Sequence, residues 1–165
     1  MHTPDAAWER RLSNLWARLD ECEAAEFVHA MRQLTAERPA GDPVGLFELG
    51  AAHDSTGSPE EAVSLYAASL AAGLSGLRRR RARIQMASSL RNLGRLEEAA
   101  EMLFTERQQP SDELDQAVAA FLALALADLG REREALCISL SALSKYLPRY
   151  NRSLARYAEA LNGEA

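Results

Sequence analysis

The sequence predicts an all-α protein built from stacked helix pairs, and three observations carry that expectation. Ala and Leu fill 56 of the 165 positions, whereas Val, Ile and Thr together fill only 10. Sheets draw on β-branched residues and helices on Ala and Leu, so the composition favours helix throughout. Second, one short pattern recurs: Gly57-Ser-Pro-Glu-Glu-Ala62, Gly94-Arg-Leu-Glu-Glu-Ala99 and Gly130-Arg-Glu-Arg-Glu-Ala135, with the alanines 37 and 36 residues apart. A period in the mid-thirties marks an array of helical hairpins. Third, 47% hydrophobic and 26% charged residues suit a globular chain, and no apolar run approaches the roughly 20 residues of a membrane span.

Each element has a local reason. Trp8, Leu12, Leu15 and Leu19 form one apolar stripe, and Phe27, Met31 and Leu34 form another between about 21 and 38. Residues 1–42 are therefore expected to be a helix pair that caps the array or is a degenerate repeat, with dimerisation through Trp8 and Trp16 as the alternative. Asp42 is placed to cap a helix starting at Pro43 and ending before Gly57. Ser58-Pro59 opens its partner, which stops at Gly73. Further helices are expected over about 77–93 and 95–109. Ser111 is expected to cap the next, which reaches Leu129; another spans 131–145, and Pro148 opens the last, to about Leu161. In each recurring turn the glycine supplies the left-handed residue that ends one helix. The carboxylates after it suit the positive start of the next, and the alanine lets the two helices approach. Residues 43–146 are thus three hairpins and 147–165 a capping helix, all in one structural domain.

These residues resemble the tetratricopeptide repeat family, a right-handed superhelical solenoid of antiparallel helix pairs. Leu46, Leu49, Gly50, Ala62 and Tyr66 stand where that family places its large, small and aromatic packing residues in the first unit. Ala87, Leu90, Ala99 and Leu103 do so in the second, and Leu122, Ala123, Leu126, Ala135 and Ser139 in the third. Arg83 and Ala119 depart from the pattern where Leu46 stands. The resemblance implies a concave groove lined by the first helix of each pair, and hence a non-catalytic protein-interaction module. Projecting by helical spacing, Phe47 and Asp54 face the groove from the first unit. Arg81, Gln85, Ser88, Arg91 and Asn92 face it from the second, and Leu124 and Asp128 from the third. Such a surface suits a peptide or partner segment carrying an acidic group near Arg81 and Arg91. Val44, Phe47 and Ala51 are apolar where the family's chaperone-tail binders carry a carboxylate clamp, so chaperone-tail binding is not expected.

Charge narrows the partner class. The net charge is −5, but residues 43–76 carry −4, 77–109 carry +4 and 138–165 carry +2. An acidic chain with a local basic block is an unusual nucleic-acid binder. The run Arg78-Arg79-Arg80-Arg81, followed by Arg83, reads first as a solvated helix start, since four consecutive helical residues point in four directions. An anion- or nucleic-acid-sensing role for that run is the remote alternative, and a homodimeric scaffold the nearer one.

Chemistry finds little foothold. His53-Asp54 resembles the doublet of metal-dependent phosphohydrolases but lacks further ligands, with only His2 and His29 elsewhere. Cys22, Glu26 and His29 share a helix face without a second Cys or His to complete a zinc site. No phosphate loop and no nucleophile–base–orienter set is present. No catalytic residue, metal or cofactor is therefore expected. Two cysteines make no disulfide framework, and Asp5, Glu9, Arg10 and Arg11 interrupt any leader-like stretch, so a cytoplasmic protein without a membrane partner is expected.

Overall fold

The computed structural model describes residues 6–161; His2 and Asp5 lie outside the described residues. Among the described residues the chain forms nine α-helices, one 3-10 turn and no strand: α1 (Ala6–Trp16), the turn Leu19–Glu21, α2 (Ala24–Thr35), α3 (Pro43–Ser55), α4 (Pro59–Ala71), α5 (Gly76–Asn92), α6 (Leu96–Arg107), α7 (Asp115–Asp128), α8 (Glu132–Ser144) and α9 (Asn151–Ala160). None is long and apolar enough to cross a membrane. This is the all-α helical-repeat fold that the composition and the recurring turn predict. The chain divides into two compact units, Met1–Ala82 and Arg83–Ala165, with the division inside α5.

The three turns share one hydrogen-bond pattern. Gly57, Gly94 and Gly130 have φ of 83, 75 and 72°, a left-handed backbone that only glycine adopts without penalty. The next residue's N–H then reaches back into the preceding helix: Ser58 to the His53 carbonyl (2.9 Å), Arg95 to Leu90 (2.9 Å) and Arg131 to Leu126 (2.8 Å). Carbonyls that a helix end leaves open are thereby satisfied locally.

In the first unit, Trp8, Leu12, Phe27, Met31, Leu34 and Ala52 form one buried cluster, so the N-terminal pair packs onto α3. Trp8 donates its indole N–H to the Leu34 carbonyl (3.0 Å) and lies under the Arg38 guanidinium. The Trp16 ring meets Phe27 at a 55° tilt, with centroids 5.2 Å apart. Trp8 thus belongs to the interior of this unit, and Trp16 packs partly buried against it. Hairpin α3–α4 closes tightly: a Cβ added at Gly50 would lie 3.1 Å from both Leu65 Cβ and the Tyr66 ring. Tyr66 is fully buried there.

Asp42 caps α3 as its position implies. Its Oδ2 accepts from the Gly45 amide (2.8 Å), and Arg38 donates to both carboxylate oxygens (2.5 and 2.9 Å). Burial alone would raise this carboxyl's pKa, but the Arg38 and Gly45 hydrogen bonds outweigh it and hold it below the ordinary value. A lowered folded-state pKa stabilises the fold above the unfolded value, and the gain disappears as pH falls through the folded one. Asp42→Ala is therefore expected to cost about 1–2 kcal/mol near neutrality. In urea titrations at a series of pH values, wild type and variant should converge below about pH 4.

The second unit contains α6 through α9, packed in sequence. Ala99, Leu103, Leu122, Leu126 and Ala135 are buried at the places that the repeat pattern assigns to them. Ser139 is not: it is exposed, and Cys137 and Ile138 turn inward on α8 instead.

Two helix starts differ from expectation. Ser111 does not cap α7, which begins four residues later. The Asp112 side chain captures the Leu114 amide (2.8 Å), and the Ser111 hydroxyl donates to Asp115 (2.5 Å), which holds 111–114 as a turn. The last helix begins at Asn151 rather than Pro148, because Tyr150 sits in the left-handed region at φ 65°.

Candidate functional site

Each expected contact residue is placed by its helix, and the two units are taken in turn. In the first, Phe47 is completely buried against Tyr66, with ring centroids 6.0 Å apart, and the Arg81 guanidinium lies over its ring at 5.4 Å. It is a core residue, which corrects the expectation that it touches a partner. Ala51 and Glu48 on the same helix are buried too. The cause is what covers α3: the Trp16 indole donates to Glu48 Oε2 (3.0 Å), and Arg78 Nε donates to Glu48 Oε1 (2.9 Å). Asp54 accepts from the Tyr66 hydroxyl at 3.3 Å. Burial first, and then the neighbouring Asp54 carboxylate, pushes the Tyr66 phenol well above its ordinary range. Of the first-unit residues, Arg81 remains exposed and Asp54 half-buried.

The second unit brings the remaining residues together. Arg91 Nε lies 2.5 Å from Asp128 Oδ2, which sets the end of α5 beside the end of α7. Ser88, Arg91 and Asn92 recur at helical spacing on one side of α5, as do Leu124 and Asp128 on α7. Leu124 is 46% exposed, large for a leucine with no interior role. Gln85 is half-buried, and its side-chain oxygen accepts no hydrogen bond. The face is therefore an exposed apolar residue beside an ion pair and several amides and hydroxyls. It offers apolar contact and hydrogen-bonding groups side by side. The Arg91 charge is already balanced by Asp128, so an acidic group on a partner would compete for it.

The arginine run is mostly consumed by the fold. Arg78 spans two carboxylates, Glu48 through Nε and Glu9 through Nη2 (2.7 Å). Burial alone would weaken its charge, but Glu9 and Glu48 hold its pKa above the ordinary value. Arg80 is buried, and Arg83 Nε meets the fully buried Glu106 at 2.9 Å. Sequence reasoning missed Glu48 and Glu106. The available signal was a carboxylate on the otherwise apolar face of each helix, which requires a cation opposite.

The residues weighed for chemistry do not converge. His53 lies at the end of α3 and lines a cleft of about 560 Å³ with His29 and Arg32. His29 is exposed and within 2.9 Å of the Gln33 amide. Among the described residues no three His, Cys, Asp or Glu side chains are grouped to hold a metal ion.

Buried small residues at hairpin contacts, glycine turns and a 36–37-residue period define the class, a helical-hairpin repeat protein. The family model described as Tetratrico peptide repeat matches residues 43–161, and the chain belongs to that family. Among curated proteins none matches it. A solved structure of nearly identical TPR-like repeats from Podosopora anserina, assigned to a kinesin light chain, is similar in fold. It shares 18% identity over 99% of this chain and 90% of that one, with a TM-score of 0.70.

Proposed function

We propose that the chain is a non-catalytic protein-interaction module acting in the cytoplasm, holding a peptide or partner segment against the first helices of its hairpins. Tetratricopeptide repeats are in general protein–protein interaction modules, and this chain has that architecture over most of its length. The observation that carries the reading is the strip of the second unit where exposed Leu124 adjoins the Arg91–Asp128 pair. Leu124 supplies apolar contact, while Gln85, Ser88 and Asn92 supply hydrogen bonds. An acidic group of the partner meets Arg91 in competition with Asp128. Arg81 and Asp54 are the corresponding polar residues of the first unit.

Affinity capture from a lysate of the source organism, quantified by mass spectrometry, tests this. Arg91→Glu and Leu124→Asp should each reduce capture of a wild-type partner by about tenfold or more. Their circular dichroism should be unchanged, since both side chains are partly exposed. Equal capture by all three proteins would overturn the assignment.

A further inference from the structure

Within the first unit, the start of α2 and the end of α3 enclose the cleft of about 560 Å³, and its charged and titratable lining is basic. His29 and Arg32 come from α2 and His53 from α3, and no acidic side chain lines it, although the chain as a whole carries a net charge of −5. Arg32 is exposed and, among the described residues, meets no carboxylate, whereas Arg11, Arg38, Arg78 and Arg83 are all paired. Glu23, Glu26, Glu60 and Glu61 belong to the neighbouring helix starts but are exposed and stand outside the lining. Asp54, next to His53, is engaged by the Tyr66 hydroxyl.

The polar groups of this lining are mainly hydrogen-bond donors. His53 is half-buried, and its Nδ1 is enclosed without a hydrogen-bond partner, so the neutral ring carries its proton on Nε2. His29 Nε2 lies 2.9 Å from the Gln33 side-chain nitrogen, which can only donate, so the His29 ring proton is on Nδ1. Glu23 makes no side-chain cap, which leaves the Ala24 and Ala25 amides at the start of α2 open, and both alanines line the cleft. The Ser58 hydroxyl, at the start of α4, is likewise not used as a cap. The opposing negative end of α3 is closed: Thr56 donates to the Ala52 carbonyl (2.8 Å) and the Ser58 amide to the His53 carbonyl (2.9 Å). Val28 and the alanine methyl groups give the cleft an apolar wall.

We propose that this cleft binds a small phosphate monoester, with Arg32, His29 and His53 on the phosphate oxygens and the organic body against Val28. Donors from α2, α3 and α4 approach from separate elements, which suits the tetrahedral oxygens of a phosphate better than the plane of a carboxylate. The volume falls within the roughly 300–1,000 Å³ of small-molecule sites and exceeds what an inorganic phosphate fills. The site uses none of the residues assigned to peptide binding, so it stands or falls separately from that reading.

Nuclear magnetic resonance of the histidine rings in the full chain, titrated with phenyl phosphate at constant pH near neutrality, tests it. The His29 and His53 signals should move together on one curve that saturates below about 10 mM. Arg32→Gln should weaken binding about tenfold with an unchanged circular dichroism spectrum, because Arg32 is exposed. Arg107→Gln, which makes the same change in net charge at an exposed arginine of the second unit, should bind as wild type does. Inorganic phosphate should move the same signals with weaker affinity, since it lacks the body that meets Val28. Benzoate should bind about tenfold more weakly than phenyl phosphate. Signals that do not saturate, or equal binding by Arg32→Gln and wild type, would overturn the site. Equal losses in Arg32→Gln and Arg107→Gln would do the same by reducing the effect to overall charge. Benzoate binding as tightly as phenyl phosphate would overturn the phosphate class.

Discussion

Glu48→Ala is expected to lower folding stability by about 3 kcal/mol, although Glu48 touches no part of the proposed binding strip. The carboxylate is 2% exposed and is held by the Trp16 indole N–H and the Arg78 guanidinium. Removing it leaves the indole N–H without its acceptor and Arg78 with Glu9 alone, in a site that water reaches poorly. Because Arg78 is itself partly exposed, the loss falls toward the lower end of the range for a broken buried pair. For a chain of this size the melting temperature should drop by roughly 6–12 °C. The double variant with Arg78→Ala should be clearly less than additive, because both changes remove the same interaction. Additive losses in calorimetry would mean that the two side chains are not coupled.

Gly50→Val should be of similar size for a different reason. A bare Cβ there already meets Leu65 Cβ and the Tyr66 ring at 3.1 Å, and Tyr66 has no exposed side toward which to retreat. Two further methyl groups force α3 and α4 apart, with an expected loss of about 3 kcal/mol. Gly50→Ala should be much milder, because its better helix propensity, about 1 kcal/mol, offsets part of a shift of a few tenths of an ångström. Combining Gly50→Val with Tyr66→Leu should recover part of the loss in urea unfolding. If Val and Ala at position 50 behave alike, close approach is not what fixes this glycine.

The sequence shows best those features whose causes lie within a few residues. Asp42 with Pro43, and the glycines at 57, 94 and 130, set helix ends through local hydrogen bonds, and the structure has them where the spacing puts them. Ser111 was misread because Asp112, one residue on, offers the backbone a better-placed acceptor. Phe47 was misread for a longer-range reason. Helical projection assigns it correctly to the same side as Glu48 and Ala51, but not what lies over that side. Trp16 and Arg78, 32 and 30 residues from Glu48 in sequence, decide that. The arginine run illustrates the same limit, since its charges were visible but the buried carboxylates awaiting Arg78 and Arg83 were not. Arg91 and Asp128 were both placed on the groove, yet their direct pairing depends on how closely α5 and α7 approach.

The glycine turns described above have a consequence for how such a chain diverges. Each turn closes its hydrogen bonds within its own few residues, so a hairpin carries its punctuation with it and asks nothing of distant positions. What remains to be specified is a short set of small and large side chains where helices touch. That light specification is compatible with 18% identity at a TM-score of 0.70. Exposed positions outside that set are the blank page on which a lineage can inscribe a new binding preference without rewriting the scaffold.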